Sequence, residues 1–73
     1  MAQQTISLDE LLGEFRSLAD RLDMPDSERA GIMGVSVETW PVWSAAGQGP
    51  ERLAEYRRRL EYALPLMRRS LNE

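Results

Sequence analysis

An all-α fold of four helices, or five if Pro65 divides the last, is what this sequence predicts. Three observations carry that expectation. Leu8, Leu11, Leu12, Phe15, Leu18, Ala19 and Leu22 recur at the helical period. Leu53, Tyr56, Leu60, Leu64, Met67 and Leu71 do so again at the other end of the chain. Between them, Pro25, Gly34 and the run Gly47-Gln48-Gly49-Pro50 break the chain into short pieces.

The elements follow in order. Residues 1–7 read as a disordered start, and 8–73 as a single domain. Ser7-Leu8-Asp9-Glu10 has the form of a capping box, with Ile6 placed to staple onto Leu11, so the first helix is expected over 8–22. Asp23-Met24-Pro25 ends it, and Pro25 suits the first turn of a second helix over 25–33. Gly34 can take the left-handed conformation that closes a helix. Val35 then plugs the turn, and Ser36 is placed to cap a third helix over 37–46 with its hydroxyl. Gly49 and Pro50 open the last helix, expected over 50–71. Pro65 lies inside it, removes one backbone donor and should kink or split it near Leu64. Phe15, Leu18, Ala30, Val35, Trp43, Leu60 and Leu64 are expected to be buried together.

The 73 residues form one small domain, in a size range where about 60% of the unfolded surface is buried and dimerisation adds useful stability. The absence of cysteine and histidine excludes a disulfide frame, a thiolate metal site and the commonest general base. No nucleophile–base set can be assembled from what remains, and the acids at 9, 10, 20, 26 and 28 sit at helix starts and on solvated faces. The chain therefore reads as non-enzymatic, without cofactor, metal or small-molecule substrate. Its amino terminus has neither a basic flank nor an apolar run, and no stretch approaches the ~20 apolar residues of a membrane span, so a cytoplasmic protein without membrane contact is expected.

The net charge is −3, and all nine basic residues are Arg. Residues 1–38 hold eight acids and three Arg, whereas 39–73 hold four acids and six Arg. Free DNA attracts basic surfaces, so only the C-terminal half offers a positive face.

Ala30, Gly34-Val35-Ser36, Thr39, Trp43 and Gly47 together make the frame of a helix-turn-helix. A small residue sits where two helices cross, a glycine ends the first, a hydroxyl caps the second and a tryptophan anchors it. With one amphipathic helix ahead and a Leu/Arg-rich helix behind, residues Leu8 to Leu71 resemble the Xre-like helix-turn-helix domain at the front of MbcA/ParS-type antitoxins. The toxin-binding half that usually follows in that family has no counterpart in these residues. The resemblance implies a transcriptional regulator, with the recognition helix presenting Ser36, Val37, Glu38, Thr39, Pro41 and Val42 to DNA or to a partner.

Those side chains depart from a base-reading set. Thr39 can contact a phosphate or a thymine methyl, and Glu38 can accept from cytosine, but Arg, Lys, Asn and Gln are missing. Pro41 removes a helix hydrogen bond, and Asp26 and Glu28 place like charge where phosphate would dock. The same positions, Val37, Pro41 and Val42, would form an apolar patch suited to a protein. The alternative is that Trp40 and Val42 pack into the core with the helix slightly rotated, and Trp40 in particular is expected to be buried. On the last helix, Arg57, Arg58, Arg59, Arg68 and Arg69 form a basic face for phosphate or a partner. The alternative for that face is a solvated surface with intrahelical pairs such as Glu55–Arg59. Tyr62 and Leu66, opposite the core stripe, suit a dimer or partner contact. Two mechanisms follow. In the first, a homodimer binds DNA weakly, mostly through phosphates. In the second, the helix-turn-helix surface binds a protein, either a toxin or part of the transcription machinery, and DNA reading is lost.

Overall fold

The computed structural model describes residues 6–72, so the expected disorder of residues 1–5 lies outside what it shows. It contains three α-helices and one 3-10 turn, with no strand among the described residues. Helix α1 spans Leu8–Arg21, α2 spans Asp26–Met33, the 3-10 turn spans Trp40–Val42, and α3 spans Pro50–Asn72. Helices α1 and α2 both pack on α3, and the 3-10 turn closes against α2.

Local chemistry sets each boundary. The Glu10 amide donates to Ser7 Oγ at 3.2 Å, so the amino terminus of α1 is capped as its sequence specifies. At its other end Asp23 takes φ 54°, and the Met24 amide reaches back to the Ala19 carbonyl at 3.0 Å. Helix α2 ends in the same way: Gly34 takes φ 78° and the Val35 amide donates to the Ala30 carbonyl at 3.0 Å. Both are Schellman closures, built on buried alanines. One uses glycine at the left-handed position. The other uses aspartate, at a steric cost glycine avoids.

Arg29 binds α1 to α2. Its Nε donates to the Met24 carbonyl at 2.9 Å, and its terminal nitrogen pairs with Asp20 at 3.0 Å. The Arg29 side chain is only 17% exposed but Asp20 is 72% exposed, so the bond to the Met24 carbonyl is the sheltered arm of this fork.

The core joins the two long helices: Phe15, Met33, Leu60 and Leu64 lose essentially all solvent contact, and Leu11, Leu12, Leu18 and Met67 surround them. Of the expected core set, only Val35 stays half-buried, at the edge of this cluster.

Two expectations are corrected. The helix expected over 37–46 does not form. Residues 37–39 make a turn, the 3-10 segment covers Trp40–Val42, and Trp43 is already extended at φ −69° and ψ 142°. Pro41 explains this: it offers no amide to the Val37 carbonyl and disfavours helical geometry at Trp40. The tighter turn also has a use. At three residues per turn, side chains i and i+3 eclipse, so Trp40 and Trp43 both face inward and stack at 6.0 Å with 21° between planes.

The second correction concerns α3. It runs through Pro65 without a break, so no fifth helix arises. Pro65 lies on the exposed side, while Leu60, Ala63, Leu64 and Met67 hold the core side of the helix in place. Tertiary packing outweighs the one missing hydrogen bond.

Candidate interaction surfaces

Residues 35–49 are anchored by aromatic rings. Phe15 meets Trp40 edge-on at 5.7 Å, Trp40 stacks on Trp43, and Trp43 meets Tyr56 edge-on at 5.0 Å. The Arg16 guanidinium carbon lies 5.5 Å from the centre of the Trp40 ring. This ladder runs from α1 through the turn to α3. Trp43 Nε1 is buried without a hydrogen-bond partner among the described residues, an unfavourable detail that the ring packing outweighs.

With both tryptophans turned inward, the intervening and preceding side chains point out. Val42 is 83% exposed and Val37 is 45% exposed, with Glu38 and Pro41 beside them. Ser36 is occupied locally. Its Oγ accepts from the Thr39 amide at 3.2 Å and donates to Thr39 Oγ1 at 2.6 Å. Ser36 therefore spends its proton on the turn, while Thr39, expected at a phosphate or a thymine methyl, keeps its own hydroxyl proton. The cap at Ser36 is real, but it closes a turn and not a helix. The result is an apolar knuckle backed by packed aromatic rings, with Glu38 as its charged member.

The five arginines expected on one basic face are divided. Arg59 pairs with Glu55 at 3.4 Å, one turn earlier on α3. Its guanidinium also lies over Gly34, where an added Cβ would come within 2.7 Å of Cζ. Gly34 is thus required for its positive φ, while the flexible end of Arg59 could shift to admit a Cβ. Arg68 pairs with Glu14 of α1 and ties the two long helices together. Arg57 is half-buried beside Leu11 and Leu64. Arg58 and Arg69 are exposed, with no ion pair among the described residues. No continuous basic stripe remains.

Tyr62, 76% exposed, and Leu66, 48% exposed, stand on the outer face of α3. They border an open groove of about 320 Å³ between α2 and α3, floored by Ile32, Ala63 and Met67 and rimmed by Arg59. Sequence reasoning singled out Tyr62 and Leu66 but missed the groove. The signal was Ile32, an apolar residue of α2 adjacent to the buried Met33.

Among the described residues no group of three or more His, Cys, Asp or Glu could hold a metal ion. No described helix is long and apolar enough to cross a membrane. Comparison with family models, with curated proteins and with solved structures gives no match to this chain.

Proposed function

We propose that this chain is a non-enzymatic protein-binding module whose contact surface is the knuckle at Val37, Pro41 and Val42. The observation that carries the reading is a proline-bearing 3-10 turn, in place of the expected recognition helix, with Val42 almost fully in water. A rigid aromatic ladder behind it keeps these side chains exposed, which lowers the ordering cost of binding. The resemblance to MbcA/ParS-type antitoxins then bears on the partner, a toxin or a component of the transcription machinery, and not on DNA. In this reading the regulatory role is exerted through protein contacts.

The DNA-linked reading loses support on three counts. Ser36 and Thr39 bond to each other, Arg59 and Arg68 are paired within the chain, and Asp26 and Glu28 stand in the first turn of α2. The test is titration of a random-sequence duplex, followed by fluorescence anisotropy at low salt. Non-specific DNA binders reach dissociation constants of about 10⁻⁴–10⁻⁶ M even at physiological salt. This chain is expected to remain unbound at about 10⁻⁴ M. Micromolar binding that falls steeply with salt and is lost when Arg57, Arg58 and Arg59 become Ala would restore the DNA reading.

A further inference from the structure

The outer face of α3 carries an acid and a base at equal distances on either side of a central tyrosine. Residues seven apart on an α-helix lie within about 20° of one another around the axis. Glu55, Tyr62 and Arg69 are spaced in this way, so they form one line with tyrosine at its centre. The acid lies about 10.5 Å before Tyr62 and the guanidinium-bearing residue about 10.5 Å after it, at 1.5 Å per residue. All three side chains are exposed. Leu66 sits beside this line, one turn beyond Tyr62, at the mouth of the apolar groove.

We infer that two copies of this chain associate through α3, antiparallel, about a two-fold axis at Tyr62. Reversal of one helix places Glu55 opposite the partner's Arg69, and symmetry repeats the pair. Tyr62 then meets its own copy at the axis, and Leu66 of each protomer lies over the exposed Arg58 of the other, against its methylene stem. Parallel pairing would instead set Glu55 against Glu55 and Arg69 against Arg69, so charge selects the antiparallel form. Arg69 is free for this contact, and Glu55 holds only a long, exposed 3.4 Å pair with Arg59. One helix face with a single aromatic at its centre is a small interface, so the dimer is weak, with a dissociation constant on the order of 10–100 µM. This contact is separate from the knuckle and does not depend on its role.

Sedimentation velocity on the full chain, from low micromolar to near-millimolar concentration, tests the inference. Wild type is expected to pass from monomer to dimer over that range. Tyr62→Asp should weaken the dimer at least about tenfold. Glu55→Arg and Arg69→Glu should each weaken it roughly three- to tenfold, since each substitution acts twice by symmetry. The double variant Glu55→Arg/Arg69→Glu should recover most of the wild-type affinity. Thermal midpoints within a few degrees of wild type establish that the variants are folded, as expected at exposed positions. A protein monomeric throughout, a dimer indifferent to Tyr62→Asp, or a double swap no better than the singles would each overturn the inference.

Discussion

Trp40→Ala is the most informative single change to this fold, and its size can be worked out from the packing. Trp40 is 5% exposed, meets Phe15 at 5.7 Å and Trp43 at 6.0 Å, and carries the Arg16 guanidinium on its face. Truncating a buried tryptophan to alanine costs about 3–5 kcal/mol. A chain of 73 residues has roughly 4–11 kcal/mol of stability in total. The substitution should therefore remove about half of it. Two positions later, Val42 is 83% exposed, and Val42→Asp should change stability by no more than about 0.5 kcal/mol. Urea denaturation followed by far-ultraviolet circular dichroism measures both. With a slope near 1 kcal/mol per molar for a small domain, Trp40→Ala should lower the midpoint by about 3–5 M or leave the chain partly unfolded in water. A loss below about 1 kcal/mol for Trp40→Ala, or above about 2 kcal/mol for Val42→Asp, would refute the assignment of which side chains the turn sends in and out.

Three further outcomes follow from the helix ends and from Arg29. Asp23→Gly should raise the thermal midpoint by about 2–8 °C, because it relieves the φ 54° strain and removes a carboxylate from the negative end of α1. Arg29→Ala should cost about 1–2 kcal/mol in chemical denaturation, and Arg29→Lys should not restore it, since one ammonium cannot reproduce the fork to Met24 and Asp20. Pro65→Ala should stabilise the protein by about 1–3 kcal/mol, because alanine returns an amide to the Glu61 carbonyl on an exposed face of α3.

The parts of this fold legible in the sequence are those where one local signal acts alone. Helix α1 had a capping box and an unbroken apolar period, and it spans Leu8–Arg21 against an expected 8–22. Gly34 was legible as a helix end because only glycine takes that conformation cheaply. The end of α1 at Asp23-Met24-Pro25 was legible too, but the left-handed conformation of Asp23 was not, because aspartate adopts it only when the surrounding chain demands it. The third helix failed where two signals conflicted. The spacing Ser36…Trp43 suggested a helix, whereas Pro41 removes one of its hydrogen bonds and, unlike Pro65 in α3, has no long core-facing stripe around it to offset the loss. At the candidate surfaces, the inward Trp40 was readable from its size, whereas the sequence left open whether Val42 faced the core or solvent. The loss of the basic stripe was not, because the Arg68–Glu14 pair spans 54 positions of chain and exists only once α1 lies on α3. The Arg59 guanidinium over Gly34 is likewise a tertiary event.

What touches position 42 in the cell decides the proposed function most directly. A photo-crosslinking residue placed there, on a side chain already 83% in water, leaves the fold undisturbed and reports its neighbour whether protein or nucleic acid. The same residue at Ser17, exposed on α1, serves as the control. The proposal predicts one discrete protein adduct from position 42, absent from position 17 and lost when Val37 is changed to Asp. Adducts to nucleic acid from position 42, or the same set of proteins from both positions, would contradict it.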